Sequence, residues 1–285
     1  DTNADGNATR PSPGSWGGIV LNASASASTL GYALVRYGGT AVQISASSPT
    51  IANSTVIYSS GAAISVSGAG APNLQNNILR DNLGAGISLS GSSPLIQSNV
   101  FVNNGGAAVT MDGNSLPYNT GNQAYYNKYN GIKVSGTVGT RGTWHRDLPY
   151  IIGVDGSGSV TVSTGVVLTI EAGTIIKMGS GTNLVNNGGL ISNGTSSNRI
   201  AYTSINDDGI GGDTNNNGSQ SWPAPGDWNQ IQFTASSLSS SSLTYSNISY
   251  GGVKVTGSAP TIANDLISYS NTYGLYLESL AAPVV

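Results

Sequence analysis

The sequence predicts an all-β chain wound as a right-handed parallel β-helix, with three short strands to each coil of about 22–23 residues. Three observations predict it. Pro49, Pro72, Pro94 and Pro117 recur at 23, 22 and 23 residues, so the chain repeats itself at a fixed short period. Val42, Ile64, Ile87, Val109 and Ile132 recur on the same period, and each is followed two residues later by Ile44, Val66, Leu89, Met111 or Val134. An apolar pair with one polar residue between is a half-buried strand. Finally, only 8% of residues are charged while 38% are hydrophobic, and the remainder is dominated by Gly, Ser, Asn and Thr. Such a chain folds if short apolar strands alternate with tight polar turns.

Taken in chain order, the first element is Asp1–Trp16, whose Asp1, Asn3, Asp5 and Gly6 form the first half of a calcium-type loop. Trp16 follows a Pro-x-Pro-Gly-x stretch and is expected to cover the edge where this loop rejoins a coil. The coils then supply three files of inward side chains. Val42 to Ile132 form the first, Ile51, Leu74 and Ile96 the second, and Val56, Ile78 and Val100 are expected to form the third. Corners need unusual backbone angles, which Gly and Asn tolerate. Asn77, Asn99 and Asn122, spaced by 22 and 23, are expected to stack at one corner with their amides bonded from coil to coil.

The segment after Thr137–Arg141 changes texture. TWHRDLPY (Thr143–Tyr150) opens it, and Val162 to Leu184 and Leu168 to Leu190 return to the period of 22. Next come Asp207-Asp208 and Asp213-Thr214-Asn215-Asn216-Asn217-Gly218. Alternating oxygen donors ending in Gly suit a hard cation, so Asp207, Asp208, Asp213, Asn215, Asn217 and Asp227 are the candidate Ca2+ ligands. The closing Glu of the usual loop is missing, since that place holds Ala224, and Asp207, Asp208 and Asp227 are expected to make up the charge. The plainer reading is an Asx-turn loop without metal. Asp1–Trp16 and Asp213–Trp228 match at an offset of 212 with 8 of 16 residues identical, and Pro49–Asn53 returns as Pro260–Asn264. Two divisions follow: 1–140, the end of one module, and 141–285, the opening segment, calcium-type loop and first coils of the next, stacked as one solenoid.

The patterns in Trp144–Tyr250, with the coil repeats, resemble bacterial right-handed parallel β-helix modules of surface and adhesin-type repeat proteins, the superfold shared with pectate lyases. The resemblance implies fold far more than activity.

A net charge of −3 without a basic patch argues against nucleic acid, and no apolar run is long enough to span a bilayer. The absence of Cys excludes a disulfide framework and thiol-held metals. The chain begins at Asp1 rather than Met, as expected of a mature product or a piece of something larger. The Lys-poor, polar composition suits an extracellular or cell-surface setting. Polysaccharide cleavage requires paired carboxylates or a base beside calcium, but the outward file Gln43, Ser65, Ser88, Thr110 and Lys133 carries no acidic pair. Asp112 with Lys133 is the one candidate pair. His145 beside Asp147 lacks a nucleophile and reads as a cap-segment residue. The irregular outward file also argues against ice binding.

The expected function is therefore structural or adhesive: a stalk, sheath, filament or adhesin segment of tandem modules, with no catalytic residues. The alternative is a carbohydrate-binding or polysaccharide-cleaving β-helix. Expected partners are neighbouring modules or copies stacked end to end, with surface polysaccharide as a further ligand. The apolar run Leu275, Leu277, Leu280, Pro283, Val284 and Val285 suggests such stacking, because exposed strand edges invite pairing.

Overall fold

The computed structural model describes residues 5, 6, 8–218 and 220–285. Every strand pairs in parallel with the strand one coil away, and the two-residue to seven-residue strands stack into long sheets. One sheet of 11 strands runs from Ile19–Leu21 to Leu266–Ser268 without a break. The other two faces are each built in two pieces. The first pieces, of five strands each, end at Tyr118–Thr120 and Gln123–Tyr125, and the second pieces, of six and five strands, begin at Thr137–Val138 and Gly142–Trp144.

The first inward file is as the period predicts: Val42, Ile64, Ile87, Val109 and Ile132 pair in register, and all are buried. The second file, Ile51, Leu74 and Ile96, is likewise in register and buried. The third file differs from the expectation by one residue. Val56 pairs with Leu79 and Leu79 with Phe101, all fully buried, whereas Ile78 pairs with Thr55 and Val100 and is 43% exposed. The strands Ile78–Arg80 and Val100–Val102 each begin with adjacent apolar residues, so alternation does not identify the inward one. The corner before them sets the register.

That corner has a defined chemistry. Asn76, Ser98 and Gly121 adopt left-handed backbone angles, and the next residues, Asn77, Asn99 and Asn122, turn their amides inward. Asn77 Nδ2 donates to Asn99 Oδ1 at 3.0 Å and to the Ile51 carbonyl at 2.8 Å, while Asn99 Nδ2 donates to Asn122 Oδ1 at 3.1 Å. Each amide oxygen also accepts the backbone N–H of the preceding rung. The ladder continues beyond the expected three residues to Asp147, whose Oδ2 accepts from Asn122 at 2.6 Å. A second ladder of the same design runs Asn82, Asn104, Asn127 and Asn130 at the next corner. Each rung satisfies buried backbone groups that a sharp corner would leave unpaired.

The internal repeat is not a whole number of coils. Ile19–Leu21 begins the long sheet, but its counterpart Gln230–Phe233 lies on the adjoining face, eight turns and one third further along. The second copy is therefore rotated by one face about the solenoid axis. Among the described residues, no helix is long and apolar enough to cross a membrane.

A candidate cation-binding loop over the long sheet

After the strand Ile200–Ser204 the chain leaves the solenoid and returns only at Gln230–Phe233. The excursion folds over the outer surface of the long sheet, where Gly211 lies against Pro149 and Ile175. The outward file of that sheet continues from Lys133 through Ile151, Lys177 and Thr203, and the last three are fully buried. Covering an outward file is what removes Lys177 from solvent. Its ammonium donates to the backbone carbonyls of Asp207 and Gly212, both at 2.7 Å. Burial pushes its pKa down to about 8, against the pull of the Asp208, Asp207 and Asp213 carboxylates. The loop thus carries one internal cation among three acids, a residue that the sequence motif did not include.

The predicted ligand residues divide into two groups. Asp213 closes an Asx turn: Oδ1 accepts from Asn217 N at 3.0 Å and Oδ2 from Gly218 N at 2.8 Å. Asn215 and Asn217 both donate through Nδ2 to Ser221 Oγ, at 3.4 and 2.7 Å. With the nitrogens fixed there, Asn215 Oδ1 and Asn217 Oδ1 are buried without a hydrogen-bond partner, and so is Asp208 Oδ1. Burial, the neighbouring Asp213 charge and Asp207 raise the Asp208 carboxyl above its ordinary pKa, with Lys177 opposing. Three buried acceptors without donors in one loop are costly unless a cation or ordered water satisfies them.

Asp207 and Asp227 are hydrogen-bonded to the surrounding scaffold. Asp207 accepts from Thr203 Oγ1 at 2.5 Å and Gly209 N at 3.1 Å. Asp227 Oδ2 accepts from Ser204 Oγ at 2.6 Å, Asn206 Nδ2 at 3.3 Å and Ala224 N at 3.2 Å. Among the described residues no three of His, Cys, Asp and Glu gather as a metal cluster, so a cation here would depend on amide oxygens as well as carboxylates. In the first copy, Asp5 accepts from Ala8 N and Thr9 N at 3.0 and 2.9 Å. Asp1 and Asn3 lie outside the described residues.

The loop is anchored to the second amide ladder. Asn130 Oδ1 accepts from Asn127, while Asn130 N and Nδ2 donate to the Thr214 and Asp213 carbonyls at 2.8 and 3.0 Å. Two cavities flank it. One of about 290 Å³ is lined by Asp208, Tyr250 and the indole of Trp222, which is 79% exposed; the other, of about 400 Å³, is lined by Tyr125, Tyr126 and Asp213.

Lys133 does not meet Asp112; its Nζ is 3.2 Å from Asp155, which also pairs with Lys128 at 2.8 Å and Tyr129 at 2.9 Å. Asp112 instead takes the backbone N–H groups of Gly91 and Asn114 and the Ser115 hydroxyl. His145 Nδ1 lies 3.1 Å from Glu171, and its ring packs on Tyr118. Trp228 is buried, and Trp16 is 42% exposed, yet both donate Nε1 to a backbone carbonyl at 2.8 Å, as edge-covering residues should.

Lys177 had no sequence signal beyond its place in the outward file, and the second amide ladder had the same spacing signal as the first. Residues 9–141 match the family model described as right handed beta helix region. No curated protein and no solved structure matches the chain.

Proposed function

We propose that this parallel β-helix protein is a structural or adhesive segment of an extracellular surface protein, stiffened by a bound Ca2+ ion, and that it acts by binding rather than by catalysis. The observation that carries the reading is the unbroken 11-stranded sheet, in a chain whose local sequence repeats at an offset of 212. At about 4.8 Å per coil, eleven coils span roughly 50 Å, and every added coil lengthens the rod without a new core. The two amide ladders suit the same purpose, since they couple successive coils through buried hydrogen bonds.

Calcium is supported by the three unpartnered oxygens of Asp208, Asn215 and Asn217, with the Asp213 carboxylate beside them. The donor set is all oxygen and mixes charge with neutral amides, as a hard cation of flexible coordination prefers. Lys177 then braces the loop from beneath. Partners on this reading are further coils of the same kind, in the same chain or stacked end to end, and surface polysaccharide.

The reading is tested on intact cells of the source. Antibody raised against the chain should label unpermeabilised cells, and brief external protease should remove the label. A chain recovered only from the cell interior would overturn it.

A further inference from the structure

The outer surface of the face containing Asn183–Asn186, Gln230–Phe233, Gly252–Thr256 and Leu275–Glu278 carries a cavity of about 250 Å³. Its side-chain lining is amide-rich: Asn183, Asn229, Gln230, Gln232 and Asn271, with the exposed ring of Tyr273 at one wall. Its floor is Trp228 beneath Gly251, where a Cβ would come within 2.3 Å of the indole. We infer that this cavity is a binding site for an uncharged saccharide.

The lining supports that ligand class in two ways. An amide offers a donor and an acceptor held in one plane, which matches a sugar hydroxyl that both gives and takes a hydrogen bond. The set is partly pre-ordered: Gln232 Nε2 donates to Asn183 Oδ1 at 3.0 Å, and Asn229 Nδ2 to the Gly181 carbonyl at 2.7 Å. Tyr273 stacks on Tyr276 with centroids 5.3 Å apart, so its ring is held in place for the apolar face of a pyranose. Among the described residues no charged side chain lines the cavity, and the adjacent Lys254 is paired with Glu278 at 2.9 Å. A carboxylated or sulfated sugar would find no counter-charge there.

The internal repeat supplies the independent observation. Trp16-Gly17-Gly18-Ile19-Val20 occupies the same sequence frame as Trp228-Asn229-Gln230-Ile231-Gln232, and Ser60-Gly61-Ala62 the frame of Asn271-Thr272-Tyr273. The framework Trp and the Gly-Gly pair are kept in both copies, as Gly38-Gly39 and Gly251-Gly252. The outward positions change from Gly, Val and Ala to Asn, Gln and Tyr. The coil therefore folds without the amides and the tyrosine, and their presence in the second copy needs a reason other than packing.

The proposal gives the adhesive part of the function above its ligand class, and it is tested separately. Titration calorimetry with cellohexaose, xylohexaose, mannohexaose and maltohexaose should show binding of at least one, with polygalacturonate unable to compete. Tyr273→Ala and Gln232→Val install the residues that the first copy carries, so both variants should fold and melt with the wild type. Each should weaken binding at least tenfold. Failure of all four sugars to bind, binding undiminished in both variants, or competition by polygalacturonate would overturn the site. Surface labelling would be unaffected by any of these results, so a failed site and a failed surface assignment are distinguishable.

Discussion

Asp265 occupies a corner that other coils fill with asparagine. Like Asn77, Asn99 and Asn122, it follows a residue in left-handed conformation, here Asn264, and its Oδ1 accepts a backbone N–H, from Ser246 at 2.6 Å. An asparagine would use its second atom to donate to the coil before it, as Asn77 does to the Ile51 carbonyl. Asp265 cannot, and its Oδ2 is buried without a partner. Burial accordingly raises its pKa to about 6, against the hydrogen bonds from Ser246 and the charge of Arg199. A carboxyl whose folded pKa lies above its unfolded value binds extra protons in the folded state, so stability is lost as pH rises from about 4 to 6. Asp265→Asn should therefore stabilise the chain at pH 7 by about 1–2 kcal/mol, after discounting for partial solvent access. The gain should shrink towards zero at pH 4. Urea denaturation at both pH values checks this, and an equal effect at the two would contradict it. The ladder itself was legible in the spacing of Asn77, Asn99 and Asn122, whereas its carboxylate end at Asp147 was not. Asp265 stands at the next corner, between the third face and the long sheet, where Asn82, Asn104 and Asn127 stand in earlier coils, and only the fold shows that correspondence.

At the scale of the strand, periodicity reads well where polar and apolar residues alternate and fails where they do not. The file from Val42 to Ile132 was readable because Gln43, Ser65, Ser88, Thr110 and Lys133 separate its apolar pairs. On the third face, Ile78-Leu79 and Val100-Phe101 present two apolar neighbours each, and a one-residue shift exchanges inside for outside. The observed register makes a sharp distinction between adjacent residues. Leu79→Asp buries an unpaired charge in the core and should cost several kcal/mol. Ile78→Asp places the same charge at a half-exposed outward position and should cost at most about 1 kcal/mol. Thermal melts of the two variants measure the difference, and the reverse order would restore Ile78 to the inward file.

Across the whole molecule, the loop, the long sheet and an amide ladder form one mechanical unit. The ladder from Asn82 ends at Asn130, Asn130 donates to the carbonyls of Asp213 and Thr214, and Lys177 ties the other side of the loop to the sheet. This coupling was invisible in the sequence, because Asn130 and Asp213 lie 83 residues apart and belong to different motifs. It joins the first half of the rod to the part that follows it, near the point where two of the three faces change to new sheets. A cation at Asp208, Asp213, Asn215 and Asn217 would therefore stabilise more than its own loop. Binding only to the folded state, calcium at one hundred times its dissociation constant adds about 2.7 kcal/mol. The melting temperature should rise with added Ca2+, fall back with a chelator, and respond far less to Mg2+, which demands a tighter octahedral shell. Asn215→Ala should abolish the rise by removing a ligand. Asn130→Ala leaves the ligands in place but cuts the link, so calcium should still protect the loop amides from hydrogen exchange while no longer slowing exchange in the strands Val100–Val102 and Gln123–Tyr125. A melt indifferent to calcium would remove the metal site, and undiminished protection of those strands in Asn130→Ala would remove the coupling.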